Sequence, residues 1–64
     1  GYLYMVLRGA PCQALCLEAR SGDLVWWNRG RKEGVLGQVL GDAYCVRSAD
    51  GTVQRFLLED GERL

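Results

Sequence analysis

The sequence predicts an all-β fold, a small, partly open barrel of five to six antiparallel strands. Nine glycines and one proline divide the 64 residues at short intervals, and the stretches between them are rich in aliphatic, aromatic and β-branched residues. A meander of short strands leaves long exposed edges unless the sheet bends and curls on itself. We place the bends at Gly34, Gly37 and Gly41. We expect residues 1–64 to form one domain, excised from a longer chain because Gly1 stands where an initiating Met would.

The first predicted strand covers residues 2–8, in which Tyr2 to Leu7 form a nearly continuous apolar run. A strand that is apolar on both faces is normally buried on both faces, and so short a chain has little with which to cover it twice. Two interpretations follow. Either this is a central strand with one face in the core and its tyrosines half-exposed, or it packs against a second copy or a partner, whose interface supplements a thin core.

The second stretch, residues 12–20, has features of both a helix and a strand. Its Ala, Leu, Gln and Glu residues favour a helix, but Leu15 and Leu17 alternate with Cys16 and Glu18, and a Ser-Gly-Asp turn follows. We predict the first strand of a hairpin here, with a one-turn helix as the alternative.

The remaining strands are predicted between polar loops and glycine turns. In the strand predicted at residues 43–48, alternation places Tyr44 and Val46 on one face and Cys45 and Arg47 on the other. The predicted strands cover residues 24–28, 35–40, 43–48 and 52–58, separated by a charged loop at 29–34 and by turns at 41–42 and 50–51.

Composition and charge exclude several classes of function. Eight basic residues cancel eight acidic ones, so no net field draws the chain to nucleic acid or to anionic lipid. There is no histidine, which removes the commonest general base and metal ligand. Neither a nucleophile-elbow motif nor a nucleotide-binding glycine motif is present. We therefore expect no enzymatic activity, no cofactor, no membrane association and no small-molecule substrate.

The three cysteines, Cys12, Cys16 and Cys45, indicate the compartment. An odd number cannot form a closed disulfide framework, so we expect an intracellular location, cytoplasmic or nuclear, and not secretion. The three thiolates would supply three of the four ligands of a zinc site, and the fourth would have to be a carboxylate or come from another chain. We favour the simpler interpretation, in which they are small, half-buried apolar residues on strands and bind no metal.

The C-terminal part of the chain carries a motif order seen in small barrels. It runs from the strand Gly22-Asp23-Leu24-Val25 through a variable loop to Tyr44-Cys45-Val46, the turn Asp50-Gly51 and a final apolar strand. This order resembles an SH3-like barrel of the Tudor, KOW or retroviral-integrase C-terminal kind, over residues 22–64. The resemblance implies a binding module; an OB-like barrel is the nearest alternative.

Tudor-like domains that read methylated side chains use a cage of three or four aromatic rings. The matching region here offers Trp26, Trp27, Tyr44 and Phe56. Strand alternation sends the two tryptophans to opposite faces, and Tyr44 and Phe56 occupy expected core positions. The sequence therefore does not indicate a cage.

The most unusual local feature is a tryptophan pair followed by a basic loop. Alternation places one tryptophan in the core and the other on the outer surface. An exposed tryptophan beside the cations of this loop suits a protein contact. It could also stack on a nucleic-acid base while the cations contact phosphate. We place first the interpretation in which both tryptophans are buried and the loop is solvated, then a protein contact, then nucleic acid. The acidic residues near the C-terminus weaken the nucleic-acid interpretation because they offset the basic loop.

We therefore predict a non-catalytic interaction module that binds a protein partner or self-associates. The alternative is a nucleic-acid-binding accessory domain that uses the same tryptophans and cations. The predicted contact residues are Trp26 or Trp27 with Arg29, Arg31 and Lys32, and the exposed faces of Tyr2 and Tyr4.

Overall fold

Six antiparallel strands and no helix make up the computed structural model, which describes all 64 residues. The strands are β1 (Tyr2–Leu7), β2 (Gln13–Glu18), β3 (Leu24–Arg29), β4 (Leu36–Leu40), β5 (Ala43–Arg47) and β6 (Val53–Leu57). They form two three-stranded sheets, sheet A in the order β1-β2-β3 and sheet B in the order β4-β5-β6. The predicted all-β class and the upper strand count are confirmed.

The ambiguous second stretch is a strand, and the one-turn helix alternative is wrong. The backbone of β2 pairs with β1 on one side and with β3 on the other, and this pairing outweighs the helix propensity of its residues. Of the two interpretations of the first strand, the central position is wrong, because β1 lies at the edge of sheet A. No helix is present that would be long and apolar enough to cross a bilayer.

The two sheets face each other as a partly open barrel. On one side, the segment after β6 bridges the sheets: the Trp26 indole nitrogen donates to the Leu58 carbonyl oxygen at 2.8 Å, and the Asn28 side-chain amide donates to the Gly61 carbonyl oxygen at 2.9 Å. On the other side, β1 and β4 are in contact but share no hydrogen-bond ladder. The barrel is therefore closed along one seam by side-chain bonds and open along the other.

The core lies between the two sheets and is small. Only 12 of the 64 residues are buried, as expected for so short a chain. The predicted core positions of Tyr44 and Phe56 are confirmed, and Trp26 packs beside them. The buried cluster consists of Cys12, Ala14, Cys16, Trp26, Tyr44, Val46 and Phe56, with Tyr4, Val6 and Leu58 packed against it.

Two glycines allow backbone to pack directly on core rings. At Gly37 in β4, a β-carbon would overlap the phenol of Tyr44, so the absence of a side chain lets the backbone approach this ring closely. Gly61 has a left-handed φ of +76° and lies against the Trp26 ring. A side chain at Gly61 would meet both a backbone penalty and an occupied space.

Candidate functional site

Nine side chains form the outer face of sheet A, the side turned away from the core. The strand register aligns them in three rows across β1, β2 and β3. Residues two apart along a strand share this face, except that Leu24 and Trp27 in β3 are three apart. Seven of the nine positions are apolar. The rows are Leu3, Leu17 and Leu24; then Met5, Leu15 and Trp27; then Leu7, Gln13 and Arg29.

This face is apolar and exposed, which is unusual for an antiparallel sheet. Such sheets normally bury one face and carry polar side chains on the other. Here Leu24 is 61% exposed, Trp27 47% and Met5 41%, while Leu15 and Leu17 are half-buried because neighbours flank them on both sides. Contiguous exposed apolar patches on small proteins often mark interaction sites.

A β-bulge in β3 completes the face. Cys16 pairs with Trp26 and Leu17 pairs with Leu24, so Val25 is an extra residue in the ladder. Because of this shift, Leu24 joins Leu17 on the outer face, and Val25 lines a cavity at the end of the barrel.

The polar corner of the face holds the Trp27 ring in place. The Trp27 indole nitrogen donates to the Gln13 side-chain oxygen at 2.8 Å, and the Arg29 guanidinium lies 5.9 Å from the centroid of the ring. These contacts restrict the indole before any partner arrives, which lowers the entropy lost on binding.

The two tryptophans have opposite positions, as alternation predicts. Trp26 is only 7% exposed and packs against Tyr4, which also stacks on Tyr44 with ring centroids 5.9 Å apart. Burial raises the pKa of the Tyr4 phenol, so this ring stays neutral. The alternative in which both tryptophans are buried is wrong. Of the predicted aromatic contact residues, Trp27 and Tyr2 are exposed, Trp26 is buried, and Tyr4 is half-buried.

The three predicted cations do not form one patch. Arg29 lies at the corner of the outer face of sheet A. Lys32 is occupied by a salt bridge, with its ammonium nitrogen 2.9 Å from a carboxylate oxygen of Asp50. Arg31 is exposed on the following loop, where its backbone amide donates to the Gln54 side-chain oxygen at 2.6 Å. The basic loop therefore carries less free charge than its sequence suggests.

The Lys32–Asp50 pair makes stability depend on acid pH. The hydrogen bond from Lys32, followed by bonds from the Thr52 amide and hydroxyl, holds the pKa of Asp50 well below its ordinary value of 3.8. A depressed carboxyl pKa contributes stability above the unfolded value and loses it as pH falls. Because both side chains of the pair are solvent-exposed, we expect a modest effect. Between about pH 4 and pH 2, the melting temperature of D50N should fall less than that of the wild type.

Thermal unfolding at several pH values measures this effect. D23N is the control. This substitution also removes one exposed carboxylate, but Asp23 forms no salt bridge, so the Lys32–Asp50 pair stays intact. Parallel acid profiles for D50N and the wild type would contradict the assignment.

The outer face of sheet B is the natural comparison. It also exposes apolar side chains, among them Leu36 at 62% and Val53. Two guanidinium groups interrupt them, since Arg47 lies between Leu36 and Val53 in one row and Arg55 lies beside Cys45 in the next. Sheet B thus carries a charge on its central strand β5, whereas the one charge on the outer face of sheet A stands at a corner.

The cysteines do not converge. Cys12 and Cys16 are buried in the core, whereas Cys45 lies half-buried on the outer side of sheet B, and all three are free thiols. Burial raises the pKa of the Cys16 thiol, which makes it a poor nucleophile. No group of three or more His, Cys, Asp or Glu side chains is placed to hold a metal ion.

The sequence pattern predicts Trp27 and Arg29 as contact residues, but not the leucines that surround them. Two features of the sequence could have revealed these leucines. Leu15 and Leu17 alternate in β2 with residues that face the core, and the neighbouring strand β1 is apolar on both faces. No protein-family model, curated protein or solved structure matches the chain. The SH3-like resemblance therefore stays a prediction, within an all-β, partly open barrel.

Proposed function

We propose that the protein is a non-catalytic interaction module, an SH3-like barrel that contacts another protein surface through the outer face of sheet A. The observation that carries the proposal is the exposed apolar character of that face, with seven of nine positions apolar and Trp27 held in its middle row. Tryptophan is among the residues most enriched at the energetic centres of protein interfaces. We place the module inside the cell, since an odd number of unpaired thiols suits a reducing compartment.

The occupant we propose for this face is a second copy of the chain. A twofold dimer joins the same patch on both subunits, which requires a face that does not repel itself. The only formal charge on the outer face of sheet A is Arg29, at a corner, so two copies can meet without opposed like charges at the centre. Self-association also supplements a core of only 12 buried residues.

The size of the face limits the strength of the dimer. Six-residue strands in a three-stranded sheet span about 20 Å by 15 Å. A standard interface takes about 800 Å² of accessible surface from each partner, whereas this face covers only about 300 Å², so the dimer belongs with the small, weak interfaces. We therefore expect a dissociation constant in the micromolar range, roughly 1–100 μM.

Sedimentation equilibrium tests the proposal directly. Across about 2 μM to 500 μM protein, we expect the average mass to rise with concentration, between that of a 7.1 kDa monomer and twice that value. A monomer at every concentration would overturn the second copy as occupant. A mass that continues to rise beyond the dimer would also overturn it, because a twofold contact closes at two subunits.

Nucleic-acid binding is the second candidate function, favoured by the exposed Trp27 ring with Arg29 beside it. It is the weaker candidate, because Lys32 is paired with Asp50 and the chain has no net charge. Fluorescence anisotropy with a labelled single-stranded oligonucleotide tests it. An affinity for the oligonucleotide that falls steeply with salt and drops in R29A/R31A would support this function. No binding of the oligonucleotide at low salt would eliminate it.

A further inference from the structure

A cavity of about 440 Å³ opens at the end of the barrel, away from the outer face of sheet A. Its walls are mostly apolar, and six of its eight lining residues are hydrophobic. The lining includes Tyr2 and Tyr4 from β1, Val25 from the bulge, Leu57 at the end of β6, and two carboxylates, Asp42 and Glu59. A cavity of this size admits a long side chain or a small ligand.

The two charged side chains that line this cavity, Asp42 and Glu59, are both acidic. None of the eight basic residues lines it. The one salt bridge of the chain lies elsewhere, between Lys32 and Asp50. The Asp42 and Glu59 carboxylates are exposed and have no cationic partner. The cavity thus combines an apolar, aromatic wall with two uncompensated negative charges.

We propose that this cavity binds an arginine side chain presented by a partner protein. The apolar walls suit the methylene stem. A guanidinium is weakly hydrated, stacks on aromatic faces and pairs with carboxylates through planar, two-pronged bonds. Lysine fits less well, because its compact ammonium group is strongly hydrated. This site does not depend on the dimer, since it shares none of the nine residues of the outer face of sheet A.

Titration of ¹⁵N-labelled protein with three small amides tests the proposal. N-acetyl-arginine amide should shift the backbone signals of Tyr2, Asp42 and Glu59 saturably. N-acetyl-citrulline amide has nearly the same shape without the charge, and should bind at least about tenfold more weakly. N-acetyl-lysine amide should fall between them. Equal affinity for arginine and citrulline, equal affinity for arginine and lysine, or no shift with arginine up to about 20 mM would overturn it.

Paired charge variants locate the binding at the cavity. D42N/E59Q should lower the arginine affinity at least tenfold. The control D23N/E62Q removes two carboxylates that do not line the cavity, and should keep the affinity within about twofold. All four carboxylates are exposed, so both variants should fold, which their melting curves check. Unchanged affinity in D42N/E59Q, or equal losses in the two variants, would overturn the site.

A further titration in M5E separates this site from the proposed dimer. M5E changes the outer face of sheet A and leaves the cavity lining intact. The arginine affinity of M5E should equal that of the wild type whether or not the wild type self-associates. A tenfold loss in M5E would contradict the independence of the two surfaces.

Discussion

Replacing Met5 by glutamate is expected to weaken self-association at least about 100-fold, which corresponds to about 2.7 kcal/mol. Met5 lies in the middle row of the outer face of sheet A, beside Leu15, with no cation in that row. A dimer would bury the new carboxylate among apolar side chains without a partner, and an unpaired buried charge costs several kcal/mol. Sedimentation equilibrium should find M5E monomeric at concentrations where the wild type is a dimer.

Leu36→Glu is the matched control for this prediction. Leu36 lies on the outer face of sheet B, is 62% exposed, and also stands on an edge strand. The substitution adds the same charge to a face that already carries Arg47 in the same row, so L36E should dimerise like the wild type. Dissociation of L36E, or a dimer of unchanged strength in M5E, would contradict the assignment of the interface.

Gly61→Ala is expected to lower the free energy of unfolding by about 3 kcal/mol. The left-handed φ of +76° costs an alanine about 1 kcal/mol, and its β-carbon would overlap the Trp26 ring, where overpacking typically costs about 1–3 kcal/mol. A chain of this length has only about 3–10 kcal/mol of stability in total. Thermal unfolding of G61A should therefore show a melting temperature lower by more than about 10 °C.

Gly22→Ala separates the packing cost from the backbone cost. Gly22 has a φ of +78°, almost the same as Gly61, but nothing lies within 4 Å of the position its β-carbon would take. G22A should therefore lose only about 1 kcal/mol. If G61A were no less stable than G22A, then Gly61 would not pack against Trp26 as described, and the closure of the barrel by the C-terminal segment would be in doubt.

Local sequence features predicted the strands and the two positions of the tryptophan pair. Period-two alternation is a property of each strand alone, so it placed Trp26 and Trp27 on opposite faces. It also placed Tyr44 and Val46 in the core. These predictions needed no knowledge of which strands pair.

Features that depend on distant pairing could not be predicted in this way. The edge position of β1 follows from the order of sheet A, and the apolar run of β1 is compatible with a central strand as well. The bulge at Val25 carries no glycine that would have marked it. The cavity joins Tyr2 with Asp42 and Glu59, which lie far apart along the chain.

Solvent accessibility of the side-chain methyl groups, measured at two protein concentrations, tests most directly whether the outer face of sheet A is a contact surface. A soluble paramagnetic agent broadens the signals of exposed methyl groups. At a protein concentration tenfold below the dissociation constant found by sedimentation equilibrium, where the dimer is largely dissociated, the methyl groups of Met5 and Leu24 should be broadened as strongly as that of Leu36. At about 500 μM, Met5 and Leu24 should be protected while Leu36 stays broadened. Equal broadening of all three at both concentrations, or protection of Leu36 alone, would contradict the account.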